Sequence, residues 1–188
     1  MNFTYESERL YLKVLNEDYA PLVLNFLFKN REEFQKFEAA KSPVYYTEKY
    51  QRSNLKLEFS AFTKLNYIRF YVFKKDDANT IIGTISFSNI LRYPFSSACI
   101  GYKFDSDYQG QGFASEAIAC ASFAMFHDGG FHRIEAYVMP NNSRSAHALE
   151  RVGYEYEGLA RKSICICGTY EDHQRYALIS DFTSQNPI

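Results

Sequence analysis

The six residues Gln109-Gly110-Gln111-Gly112-Phe113-Ala114 form a glycine-spaced turn between a strand-like and a helix-like run, a pattern suited to holding a polyphosphate. Upstream, Ala98 to Phe104 carries the β-branched and aromatic content of a strand. Downstream, Ala114, Ala117, Ile118, Ala121 and Met125 recur at helical spacing, so the turn opens a helix. Glycines at 110 and 112 lack the Cβ atoms that would keep a ligand off the main chain. The first N–H groups of a helix have no intrahelical partners and sit at its positive pole. The chemistry expected of Gln109, Gly110, Gln111, Gly112, Phe113, Ala114 and Ser115 is therefore main-chain capture of a pyrophosphate. A nucleotide P-loop is excluded, because Phe113-Ala114 stand where Lys and Ser or Thr would follow the last glycine. A dinucleotide fingerprint is also excluded, because it would open the first βαβ unit, whereas this turn lies past mid-chain after hairpin-like strands. Taken alone, the six residues fit a ligand-free turn equally well.

They do not stand alone. Gly101 to Asp105 and Gln109 to Ala117 together resemble motif A of the GNAT superfamily of acetyl-coenzyme A-dependent N-acetyltransferases, with Gln109, Gly112 and Ala114 filling its pattern. His132 to Val138, Pro140 to Ser145 and Leu149 to Tyr154 follow in order and resemble motif B. Within the superfamily the chain is similar to the RimJ branch, which acetylates the N-terminal α-amine of proteins, notably a ribosomal protein. That similarity extends to Ser7 to Leu12, Ile82 to Ile90 and Gly168 to His173, and is weakest over residues 30–67, where the superfamily binds its acceptors.

The resemblance implies acetyl-CoA as cosubstrate and direct acetyl transfer to a primary amine in a ternary complex. It implies main-chain contact with the pantetheine arm around Lys103 and Phe104, whose side chains carry no chemistry in this reading. It puts Asn142 against the cofactor arm and Ser145 beside the departing thiolate. An Asx turn or helix cap is the structural reading of Asn142, and a first-turn helix residue that of Ser145. Leu149 occupies the place of a tyrosine acid found in many GNAT enzymes, and Ile164 that of a glutamate base in a neighbouring branch. The general base is therefore unassigned. Glu38, after Phe34 and Phe37, is the leading candidate to bind or deprotonate the substrate ammonium, although a lone acidic residue is more often simply solvated. Tyr102, Glu116 and Glu135 are weaker candidates, the last two as braces of the cofactor helix and sheet.

A chain of 188 residues with a net charge of −1 fits one domain, residues 1–188, and disfavours a broad nucleic-acid footprint. Its start has no signal-peptide pattern and no run is long enough to span a bilayer, so a cytoplasmic protein, monomeric or homodimeric, is expected. The apolar run from Ala117 to Phe126 reads as a buried helix. Four cysteines, at 99, 120, 165 and 167, lack Cys-x-x-Cys spacing, and the histidines are scattered, so no metal site is expected. Cys165 and Cys167 read as buried free thiols on one side of a strand.

The elements that must position these residues are a strand over Arg9 to Val14 and helices over Glu17 to Lys29 and Thr47 to Asn66. A hairpin turning at Asp76 to Asn79 follows, and then the strand ending at Phe104. The glycine turn, its helix, Gly129-Gly130 and a strand from His132 to Val138 make a βαβ crossover. A helix from Ser143 to Val152 and strands over Ala160 to Cys167 and Tyr170 to Ile179 complete the chain. The expected fold is α+β: a largely antiparallel sheet flanked by helices, with a splayed parallel strand pair at the cofactor site. The acceptor is a protein N-terminus or, alternatively, a small amine such as a polyamine or amino sugar. A non-catalytic acyl-CoA sensor is the third reading.

Overall fold

The computed structural model of the chain describes residues 1–180. Strands β1 (Thr4–Glu6), β2 (Leu10–Lys13), β3 (Ile68–Lys74), β4 (Asp77–Leu91), β5 (Ser97–Phe104), β6 (Arg133–Val138), β7 (Glu155–Ile166) and β8 (Thr169–Ile179) form one sheet. Their order is β1-β2-β3-β4-β5-β6-β8-β7, antiparallel throughout except for the parallel pair β5–β6. Helices α1 (Ala20–Lys29), α2 (Arg31–Phe34), α3 (Glu48–Thr63), α4 (Phe113–His127) and α5 (Ser143–Glu150) flank it. The mixed sheet with one parallel pair is the architecture expected above.

Alternation along the strands divides the core between the two faces, because paired residues point the same way and neighbours in sequence point opposite ways. Ile85 of β4 pairs with Tyr102, and Ile100 of β5 pairs with Ala136 of β6, so these side chains share one face. That face packs on α4 through buried Ala117, Ile118, Ala121 and Met125, and on α5 through Leu149. On the other face Tyr71 and Phe73 join Leu55 of α3 and Val23, Phe26 and Leu27 of α1. Burying these branched and aromatic side chains is the main force holding helices to sheet. Local signals set the helix starts. Thr47 accepts from the Tyr50 N–H at 3.3 Å to cap α3, Pro21 lies in the first turn of α1, and Asn142 caps α5.

Several expectations need correction. The region of Glu17 to Lys29 divides into a 3-10 turn (Glu17–Tyr19) and α1, and β1 pairs with β2 where no strand was expected. The first hairpin turns more tightly, since Asp77 already pairs with Lys74 and the bulge beside Phe73 absorbs the slack. Strand β7 starts at Glu155, with irregularities beside Gly158 and between Ala160 and Ile164, which hide its period-two pattern. Helix α4 is buried on most sides, but Phe123 is exposed. Cys165 and Cys167 are exposed rather than buried, because Cys165 lies on β7, the sheet's edge strand, and Cys167 lies in the turn that joins it to β8. All four cysteines are free thiols.

Candidate active site

The parallel pairing of β5 and β6 begins at Ser97–Arg133 and ends at Ile100–Ala136. Residues 101–104 continue β5 with β4 as their only strand neighbour among the described residues, while Tyr137 and Val138 of β6 stay paired with β8. The two strands thus splay after Ile100, leaving main-chain groups of β5 free to pair with an extended ligand. A cleft of about 560 Å³ occupies the wedge. Its walls include Tyr102, Phe104, Ala136 and Val138 from the face that carries α4 and α5, and Thr84, Ser86, Lys103, Tyr137 and His173 from the opposite face. The cleft therefore passes through the sheet.

The glycine turn lies at one end. Gly110 and Gly112 adopt φ of +74° and +81°, the left-handed region that disfavours any side chain. No atom lies within 4 Å of a Cβ built on Gly110, so the turn is open above it. The first backbone bond of α4 runs from the Glu116 N–H to the Gly112 carbonyl, at 3.1 Å. The N–H groups of Phe113, Ala114 and Ser115 precede that bond, and all three residues line the cleft. The turn is braced from behind: Glu116 accepts from Ser7 Oγ (2.7 Å), the Arg9 N–H (2.8 Å) and Arg9 Nε (2.6 Å), and Arg9 Nη1 donates to the Gln111 carbonyl (3.1 Å). Burial pushes the Glu116 carboxyl up, but these bonds outweigh it and hold the group below the usual carboxylate range. Gly110, Gly112, Phe113, Ala114 and Ser115 thus come together as a cradle. Gln109 also lines the cleft, held by Arg144, which donates to its Oε1 and, at 2.9 Å, to Glu33 Oε1. The Gln111 side chain turns back to the Asp107 carbonyl at 3.1 Å and lines no part of the cleft.

Asn142 lines the cleft and caps α5, accepting from the Ser145 N–H at 3.3 Å. Ser145 meets Tyr102. The tyrosine hydroxyl lies 2.7 Å from Ser145 Oγ and donates to the Ser145 carbonyl at 2.9 Å. Burial pushes the Tyr102 phenol well above its ordinary value, although the Ser145 bond pulls it down. Tyr102 therefore holds its proton and is a neutral hydrogen-bond donor. Leu149 is fully buried in the core. Phe104 packs its ring against Gly83, where a Cβ would come within 2.4 Å of Cδ1.

On the opposite face Lys103 Nζ donates to Glu38 Oε1 at 2.7 Å and lies over the Phe34 ring at 4.8 Å. Burial pushes the lysine down, against the pull of the Glu38 carboxylate. Glu38 is thus not a free acid, since one oxygen holds Lys103 and the other lies 3.9 Å from Lys41 Nζ. Arg69 reaches the same face, its Nη1 2.9 Å from Glu58 Oε1, and Tyr71 donates to the other oxygen of that carboxylate at 3.0 Å. Glu135 is away from the cleft, bonded to Arg133 at 2.8 Å. The side chains of Lys103 and Arg144 are what sequence reasoning missed. A lysine alternating with Tyr102 and Phe104 in an apolar strand must face the other way, and that was the available signal.

The comparisons with known proteins identify the family. The model of the acetyltransferase (GNAT) domain matches residues 9–155, so the chain belongs to that family. The probable N-acetyltransferase YjcK of Bacillus subtilis is 34% identical over 175 residues, which are 93% of this chain and 96% of that protein. The ribosomal protein uS5-alanine N-acetyltransferase of Escherichia coli is 39% identical over 102 residues, about half of either chain (54% and 53%). The solved ribosomal-protein-S5-alanine acetyltransferase of Vibrio fischeri is 31% identical, with a TM-score of 0.91 over 99% of this chain and 100% of that one. The protein is an N-acetyltransferase whose cosubstrate is acetyl-CoA. The cradle fits that cosubstrate, since free N–H groups and absent Cβ atoms meet at the wall of the splayed cleft. Among the described residues, no helix is long and apolar enough to cross a membrane.

Proposed function

We propose that this enzyme acetylates the N-terminal α-amine of a protein, with ribosomal proteins that begin with Ala or Ser as the leading class. The charge of the cleft carries this reading. Arg69, Lys103, Arg144 and Arg151 line it against Glu33 and Glu38, and Lys103 and Arg69 each already have a carboxylate partner. With both lining carboxylates already paired, such a wall leaves polyamines and aminoglycosides without the acidic surroundings they need, and tolerates the single charge of a peptide N-terminus. The ribosomal class is suggested by the Escherichia coli and Vibrio fischeri relatives. The reading treats residues 1–188 as one domain, a monomer or homodimer, working in the cytoplasm.

Bound acetyl-CoA supplies an activated acyl group as a thioester. The N–H groups of residues 113–115 hold its pyrophosphate, Asn142 faces the cofactor arm, and the free edge of β5 aligns that arm. The Tyr102–Ser145 pair is a proton source on the side of α5. The acceptor enters from the face of Lys103 and Glu38, where Glu38 balances charge around the incoming ammonium. No cysteine is among the described residues lining the cleft, which supports direct transfer in a ternary complex.

The test is a competition of acceptors. Peptides with free N-terminal Ala or Ser are acetylated faster than N-blocked peptides carrying Lys, because an α-amine of pKa about 7.7 to 8.0 is neutral far more often than a lysine near about 10.4. Polyamines or aminoglycosides outpacing every peptide would overturn the acceptor assignment. Cofactor binding without turnover of any amine would make the chain a sensor.

A further inference from the structure

We propose that His173 is the general base for the acceptor amine, an assignment that rests on the amine-acetylation reading above. His173 lies on β8 one residue before Gln174, which pairs with Val138 at the end of β6. Strand alternation places its side chain on the acceptor face, with Tyr137, Lys103, Thr84 and Ser86 and opposite to Tyr102 and Ser145. The ring is nearly enclosed (4% exposed) and lines the cleft. Base and acid candidates thus flank the through-sheet opening from its two sides.

The geometry points to one tautomer. Nδ1 lies 3.1 Å from the Glu171 carbonyl, which only accepts, so this contact is a hydrogen bond when the proton is on Nδ1. Ser163 Oγ, 3.4 Å from Nδ1, adds a weaker contact. Nε2 then bears the lone pair and bonds to no described residue. It is not sealed off either, because Arg69 Nε is the one described side-chain nitrogen both buried and unpartnered. His173 lines the acceptor side of the cleft, and Nε2 is its ring nitrogen left without a bond to a described residue. The charged groups sharing that face are Lys103 with Glu38, Arg69 with Glu58, and Arg175, whose Nη2 lies 3.7 Å from Glu135. A purely structural histidine needs only the Nδ1 bond and has no use for an open Nε2.

In the step, one N–H bond of the ammonium breaks and its proton moves to Nε2, leaving the nitrogen lone pair free. The second proton is shed to water as the C–N bond forms. The Tyr102–Ser145 pair protonates the sulfur as the C–S bond breaks and is itself reprotonated from water. The imidazolium returns its proton to water, so each ammonium consumed releases one proton net.

The test uses the full chain with His173→Asn, whose amide keeps the donor to the Glu171 carbonyl and removes the base. The expected result is a loss of about a hundredfold or more in kcat, with the CoA dissociation constant and Tm unchanged. Added imidazole should restore His173→Ala about tenfold, while chloride at equal ionic strength should not. Nitrogen-15 NMR of the wild-type imidazoles, assigned by the signal lost in His173→Asn, should show the Nδ1–H tautomer and a shift when the acceptor peptide is added to the CoA complex. An Nε2–H tautomer, no imidazole rescue, or a folded His173→Asn enzyme of wild-type kcat would overturn the base assignment and leave the acetyltransferase reading standing. If the wild type acetylates no amine, both fall together.

Discussion

The Tyr102 hydroxyl and Ser145 Oγ lie 2.7 Å apart, joining the open edge of β5 to the first turn of α5 at the wall of the cleft. While the tyrosine donates to the Ser145 carbonyl, the serine is the donor between the two hydroxyls. Tyr102→Phe and Ser145→Ala should each lower kcat by about tenfold to a hundredfold with little change in CoA affinity. Because they act as one unit, the double variant should lose little more than either single one. The pH profile has a definite sign. A phenol pushed up stays protonated above the ordinary tyrosine value of about 10, so kcat should show no basic limb from this group up to that pH. A fall in kcat centred near neutral pH that vanishes in Tyr102→Phe would contradict it.

The glycine cradle can be tested at two positions with different costs. A methyl on Gly110 meets no atom within 4 Å, so Gly110→Ala should fold with only the cost of a left-handed alanine, about 1 to 2 kcal/mol. Its methyl would lie where the pyrophosphate must approach, and the CoA dissociation constant should rise by about tenfold or more, or 1.4 kcal/mol. On Gly112 a Cβ would touch Arg9 Nη2 at 3.5 Å, so Gly112→Val adds strain within the Arg9–Glu116 brace. Titration calorimetry alongside thermal melts separates the two effects. A folded Gly110→Ala with unchanged CoA affinity removes the cradle from the site.

Much of this arrangement was legible in the sequence because its signals are local. Glycine spacing, an apolar strand before it and helical periodicity after it place the cradle without knowledge of the rest of the chain. What escaped depends on contacts between residues far apart in sequence. Ser145 and Tyr102 are 43 positions apart, and Lys103 and Glu38 are 65 apart, so no spacing rule connects them. The exposure of Cys165 follows from strand order, which puts β7 outside β8 at the sheet edge. The tautomer of His173 depends on the fold of the β7–β8 hairpin around Ser163 and Glu171.

Asn142 does two jobs that substitutions can separate. Its side-chain oxygen accepts from the Ser145 N–H, a cap worth about 1 kcal/mol, and the residue also lines the cleft. Asn142→Asp keeps the acceptor oxygen and should preserve Tm, while losing the amide donor and adding a negative charge beside an anionic ligand. Its CoA dissociation constant should rise about fivefold or more. Asn142→Ser, a cap without that charge, should lie between Asp and wild type. Equal CoA affinity in all three would leave Asn142 as a helix cap alone.

The pairing of Glu38 with Lys103 tests the proposed role of Glu38 in acceptor binding. Its carboxylate neutralises Lys103, which burial already pushes towards the uncharged form. Glu38→Gln removes the negative charge and keeps the shape, so the incoming ammonium meets a more positive face and the KM for an N-terminal peptide should rise about threefold to tenfold. Affinity for CoA should be unchanged, because Glu38 lies across the sheet from the cradle residues carried by α4. Lys103→Met in the same background removes the unanswered cation and should recover part of the lost KM, a coupling that a solvated surface carboxylate would not show. Steady-state kinetics on the two single variants and the double variant, with peptide and CoA varied separately, decides the matter. Independent effects of the two substitutions on KM would mean that the pair does not act on the acceptor as one unit.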